Sequence, residues 1–116
     1  MEGLALSKAI AKILDDKKAL DIKVLKIMDL TIVTDYIVIA TGTSTIQVKS
    51  LADEVEFKLR QELSLEPTRI EGYESRNWIL MDYDTVIVHI FHPEARDYYN
   101  LDKLWADGEE IELELD

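Results

Sequence analysis

The chain has 116 residues, 47% of them hydrophobic, which supports one domain with one core and excludes wholesale disorder. It has no cysteine, which excludes a disulfide framework, a thiolate zinc site and a cysteine nucleophile. With 13 Lys+Arg against 24 Asp+Glu the net charge is −11, so bare nucleic acid and anionic membrane surfaces repel it and a basic partner suits it.

The first segment, Leu4 to Lys18, has Leu6, Ile10, Ile13 and Leu14 at helical spacing, with lysines and aspartates between. It predicts an amphipathic helix. Its charges leave no apolar run for a signal peptide, and nowhere does the chain approach the ~20 apolar residues of a membrane span. A soluble, cytoplasmic protein is therefore expected. Ile22 to Ile27 is β-branched and loosely alternating, as in a strand, and Asp29-Leu30-Thr31 is a weak turn. Tyr36 to Ala40 is almost wholly apolar, as a strand buried on both faces would be. Ser44-Thr45-Ile46-Gln47 fits a capping box, in which Ser44 bonds the amide of Gln47 and Gln47 reaches back. Val48, Leu51, Ala52, Val55, Leu59 and Leu63 then mark one face of a second helix, which stops before Pro67.

The second half is β-rich. Thr68 to Gly72 is a short strand. Trp78 to Met81 and Val86 to Phe91 are two more, joined by Asp82-Tyr83-Asp84-Thr85 as a hairpin. Pro93 and Glu94 open a third helix that carries Arg96, Tyr98 and Tyr99 and continues over Leu101 to Trp105. The expected fold is a single α+β domain, a mixed and mostly five-stranded sheet with flanking helices. Residues 107–116 hold six acids and no base, with Ile111, Leu113 and Leu115 alternating between them. They form an acidic C-terminal tail, either frayed or paired as an extra edge strand. The preceding 106 residues carry 13 basic and 18 acidic residues, so the extreme charge belongs largely to the tail.

Few residues suggest catalysis. Asp82 and Asp84 form a D-x-D that could share a divalent cation if both lay on a strand, and Gly42-Thr43-Ser44 could hold a phosphate at a helix start. Together they would suit a metal-dependent nucleotidyltransferase. The spacing opposes that, because a whole helix separates the turn from the acidic pair and no Lys or Arg adjoins the turn. His89 and His92 lack a third ligand, and neither Ser44 nor Ser50 has a nucleophile's partners. No cofactor motif and no metal site are expected. The aromatics are more telling: Trp78, Tyr83, Phe91, Tyr98, Tyr99 and Trp105 crowd the last third, with Arg96 among them. These are the residue types of interface hot spots.

Three ordered blocks give the chain a family resemblance. Asp35 to Ser44 is followed by Gln47-Val48 and Ala52-Asp53; Glu71-Gly72 by Trp78 to Tyr83 and Val88 to Phe91; and Arg96 to Tyr99 by Leu101 and Leu104-Trp105. Together they resemble the ribosomal silencing factors, the RsfS or Iojap-like family, over residues 5–106. The resemblance implies a nucleotidyltransferase-like fold without the catalytic acids, over residues 1–106, and a non-enzymatic translation factor. It implies binding to the large ribosomal subunit through ribosomal protein L-fourteen, hindrance of small-subunit association, repression of translation when nutrients are scarce, and a homodimer in the free state. Direct nucleic-acid binding is not expected. Against the family pattern, Asp84 stands where many relatives have Gly, Asp102 where Glu is usual, and Ile46 where a polar or basic residue is common. Trp78, Asp82, Tyr83, His89, Arg96, Tyr98, Tyr99 and Trp105 are expected to border the docking surface. On that reading, Tyr83→Ala or Arg96→Ala weakens binding to large subunits without unfolding the chain.

Overall fold

Two apolar runs set the centre of the sheet. The computed structural model describes residues 2–115 and places β2 (Tyr36–Thr41) beside β5 (Val86–Phe91), the one parallel pair among the ladders. Every residue of β5, and all of β2 but Tyr36, is buried, as expected for strands covered on both faces. Around them the order is β3 (Arg69–Glu71), β4 (Trp78–Asp82), β5, β2, β1 (Leu20–Lys26) and β6 (Glu109–Glu110). The sheet thus has six strands rather than five. The extra one is a two-residue pairing of the acidic segment with the outer edge of β1. Asp116 lies outside the described residues.

Helices α1 (Gly3–Asp16) and α2 (Thr45–Leu63) cover one face. Their apolar stripes, Leu6, Ile10, Ala11 and Leu14 on α1 and Val48, Leu51, Ala52, Val55 and Leu59 on α2, bury against Val24, Val38, Ala40, Ile79, Met81, Val88 and Ile90. Each fully buried Leu, Ile or Val contributes roughly 1.5–3 kcal/mol over its exposed state. Ser44 caps α2 as expected, its hydroxyl accepting the Gln47 N–H at 3.1 Å. The Gln47 side chain reaches back one residue further than the capping box predicts, accepting from the Thr43 backbone N–H and, at 2.8 Å, from the Thr43 hydroxyl.

The other sheet face carries only α3 (Pro93–Tyr99) and α4 (Leu101–Leu104). Asn100 separates these two short helices. It takes a φ of 48°, ends α3, and accepts the Lys103 N–H to start α4. Asn tolerates the left-handed region better than most residues, so one expected helix becomes two.

Candidate partner-docking face

The period of two along each strand sorts the expected residues by face. On β4, Trp78, Leu80 and Asp82 share the side away from α1 and α2, and on β5 Ile87, His89 and Phe91 do. Leu25, Ile27, Ile37, Ile39, Ile87, Phe91 and Leu101 form the buried layer there, with Trp78, Leu80, Ala95 and Trp105 packed on it and partly exposed. Trp78 is the hub. Its ring lies 5.1 Å from Phe91 and 4.6 Å from Tyr99, and Tyr98 meets Tyr99 edge-on at 5.0 Å. A groove of about 280 Å³ opens between this cluster and the loop after β1, floored by Ile37, Leu80, Ile87 and His89 and walled by Thr31, Val33, Leu101 and Trp105.

Apolar side chains stand out on the segments that wall the groove. Ile32 is 103% exposed and Val33 is 69% exposed on the loop, with Leu30 half exposed beside them. Tyr98 on α3 is 80% exposed and Leu104 on α4 is 66% exposed. Scattered single exposures are ordinary, but these sit on the two segments, the loop after β1 and α3–α4, that supply Thr31, Val33, Leu101 and Trp105 to the groove and its mouth. The sequence reading missed Leu30, Ile32, Val33 and Leu104. The signal was available, since three apolar residues in six are out of place in a solvated turn.

His89 is buried beneath Trp78 and serves it. The indole N–H donates to His89 Nδ1 at 3.0 Å, which fixes the ring and satisfies a donor that would otherwise be stranded on an apolar surface. Burial lowers the His89 pKa from 6.5 to about 4. The unfolded chain therefore binds a proton over a range in which the folded chain does not, and stability rises with pH there. Denaturant unfolding should show a plateau above pH 7 and a loss of ~2–3 kcal/mol as pH falls from 6.5 to 4. His89→Phe should flatten that slope. A slope unchanged in the variant would assign the titration elsewhere.

Arg96 is bonded within the chain. One nitrogen, Nη1, donates to the Asp21 carbonyl at 2.6 Å and to Thr41 Oγ1 at 2.9 Å. Its Nε and Nη2 grip Asp102 at 3.2 and 3.0 Å, and Lys23 adds an ion pair to Asp102 at 3.0 Å. The Arg96 hydrogen bonds, with Lys23 assisting, hold Asp102 down at about 2. Arg96 therefore ties α3 and α4 to β1 and β2, which sets the pose of Tyr98, Tyr99 and Trp105.

Tyr83 lies apart from the others. It shares parity with Ile79 and Met81, so it turns under α2, where it is 7% exposed among the helix-face core. Burial, with Glu56 nearby, pushes its hydroxyl pKa up, and that hydroxyl has no hydrogen-bond partner among the described residues. Removing Tyr83 would take packing out of the core beneath α2.

The D-x-D does not form a paired-carboxylate site. Asp82 Oδ1 accepts the Asp84 N–H at 2.8 Å, and Asp82 Oδ2 lies 3.5 Å from Arg69. Asp84 occupies the turn with a φ of 72°, a position that explains why glycine suits it. The two side chains thus have separate tasks, and the period-two argument for shared orientation fails because Asp84 is off the strand. At the start of α2, Ser44 takes the Gln47 amide and Gln47 takes the Thr43 amide, so two of the donors a phosphate would need are already bonded. Among the described residues no cluster of three His, Asp or Glu could hold a metal ion, and no helix is long and apolar enough to cross a membrane.

These features define a single-domain α+β protein with one sheet face closed by helices and the other built as an aromatic, apolar surface. The chain belongs to the ribosomal silencing factors: the family described as "Ribosomal silencing factor during starvation", RsfS, matches residues 2–116. It is 40% identical to the ribosomal silencing factor RsfS of Halalkalibacterium halodurans, across 98% of this chain and 97% of that one. It is 36% identical to the Bacillus subtilis RsfS, across 99% and 97%. The chloroplastic protein Iojap of Zea mays is 31% identical across 99% of this chain, which spans 50% of that longer protein. A crystal structure of a Chromobacterium violaceum protein, 38% identical, superposes with a TM-score of 0.87 over 97% of this chain and 92% of that one.

Proposed function

We propose that this chain docks on the large ribosomal subunit through ribosomal protein L-fourteen and, by its bulk, blocks association with the small subunit, repressing translation when nutrients are limiting. The observation that carries the reading is the apolar surface around the groove between the loop after β1 and α4. It has the composition of a docking face: an aromatic centre in Trp78, Tyr99 and Trp105, and exposed Ile32, Tyr98 and Leu104 around it. Inhibition of this kind needs affinity and placement, not catalysis. An acidic domain is steered to a basic protein among repelling RNA phosphates, so contact with rRNA is not part of the proposal. In the free state, in the cytoplasm, two copies pair as a homodimer.

His89 and Arg96 act in this account as supports, the first beneath Trp78 and the second beneath α3 and α4. Asp82 holds Arg69 at the end of the groove. The direct test uses residues that contribute little to folding. Ile32→Asp and Leu104→Asp, both at exposed positions, should leave the unfolding midpoint within ~0.5 kcal/mol of the parent's stability. Each should weaken co-sedimentation with purified large subunits at least ~10-fold, the equivalent of ~1.4 kcal/mol. Parental co-sedimentation by both variants would remove this face from the account.

A further inference from the structure

The groove on the docking face is lined unlike the rest of this acidic chain. The chain has 24 Asp+Glu, yet among the described residues no carboxylate or carboxamide side chain lines the groove. Its hydroxyls are engaged locally: Thr31 Oγ1 accepts the Val33 N–H at 3.2 Å, and Thr34 Oγ1 donates to the Asp84 carbonyl at 3.0 Å. Arg69 stands at one end, its Nε 3.2 Å from Glu71 and 3.5 Å from Asp82, which offset its charge. What the groove offers an occupant is apolar contact and hydrogen-bond donors.

His89 is the donor at the floor. Its Nδ1 is occupied, because it accepts the Trp78 indole N–H at 3.0 Å. Burial keeps the ring neutral, with its pKa lowered to about 4. A neutral imidazole that accepts at Nδ1 carries its proton on Nε2. Nε2 has no hydrogen-bond partner among the described residues, yet the Tyr83 hydroxyl is the one fully buried side-chain N or O atom among them that lacks one. The Nε2–H therefore keeps an opening, and the space that His89 lines is the groove. The indole holds the ring in place, so this donor is oriented before any partner arrives and binding spends little entropy on ordering it.

We infer that His89 Nε2–H is a specificity-determining donor, which takes a main-chain carbonyl oxygen from an apolar segment of the docked protein. This assignment rests on the docking reading above. A carboxylate entering the groove would meet a neutral donor and an arginine already offset by two acids, so its desolvation would go uncompensated. Ammonium and guanidinium groups bring no acceptor. Every apolar segment that suits the walls carries main-chain carbonyls. A segment that fills the groove without presenting one strands the N–H away from water, and this is how the site discriminates.

Asn and Gln separate the two nitrogens of His89. Asn places an oxygen near the Nδ1 position and can keep the Trp78 bond, while the longer Gln places an amide N–H near the Nε2 position. Co-sedimentation of His89→Asn with purified large subunits should weaken ~10-fold, with parental tryptophan fluorescence. His89→Gln should bind more tightly than His89→Asn, although it gives up the Trp78 bond. Parental binding by His89→Asn overturns the proposal. Binding by His89→Gln no better than that of His89→Asn also overturns it, since His89 then acts only by supporting Trp78. Nitrogen-15 NMR of the free parent protein reads the tautomer without any variant: a proton on Nε2 is expected, and a proton on Nδ1 overturns the assignment even if both variants unfold. The Ile32→Asp and Leu104→Asp variants keep the two proposals apart. If they bind weakly and His89→Asn binds as the parent does, the face stands and this donor falls; if both bind as the parent does, the face falls and the donor with it.

Discussion

Arg96→Ala should destabilise the domain by ~2–4 kcal/mol and abolish large-subunit binding with it. The loss is large because one side chain makes four hydrogen bonds to three residues on separate elements. Its fork holds Asp102 of α4, and Nη1 reaches the Asp21 carbonyl at the irregular start of β1 and Thr41 at the end of β2. The Arg96 side chain is only 13% exposed and that of Asp102 26%, so water replaces little of what is lost. Asp102 would keep Lys23 alone, and two acceptors would be left without their donor. Arg96→Lys keeps the charge but not the fork, and should fall between the parent and Arg96→Ala. Thermal or urea unfolding provides the test. Lost binding with parental stability would make Arg96 a contact residue, as its residue type alone suggests.

Gly72→Ala should cost at least ~2–3 kcal/mol for a single methyl group. Gly72 has a φ of 88°, and a Cβ built there would sit 1.9 Å from the Trp78 carbonyl oxygen. That neighbour is backbone, so no rotamer change relieves the clash. The strand that must shift is the one that carries Trp78, so the damage should reach the aromatic cluster as well as the fold. Urea unfolding measures the first effect, and Trp78 fluorescence with subunit co-sedimentation measures the second. A parental unfolding midpoint would mean that β3 and β4 part more easily than their register implies.

Most of the fold is legible in the residues. The apolar runs at Tyr36–Ala40 and Val86–Phe91 fix the two central strands, and the helical spacing of Leu6 to Leu14 and Val48 to Leu59 fixes the helix-covered face. Two features are not decided by the residues alone, each for a physical reason. Glu109-Glu110 has almost no intrinsic preference for a strand, and only the open edge of β1 makes it one. Asn100 splits a helix because it adopts a left-handed backbone that the surrounding pattern does not demand. The candidate site divides in the same way. Aromatic composition finds Trp78, Tyr98, Tyr99 and Trp105, and parity along β4 separates Tyr83 from them. Composition cannot tell that Arg96 spends its hydrogen bonds inside the protein, because that depends on Asp21, Thr41 and Asp102, which are distant in sequence from one another.

Gradient sedimentation of large and small subunits, mixed with the protein under conditions that favour joining, tests the central claim most directly. The account predicts separate subunits, with the protein in the large-subunit fraction, and joined ribosomes when Ile32→Asp replaces the parent. Joined ribosomes that carry the parent protein would contradict it.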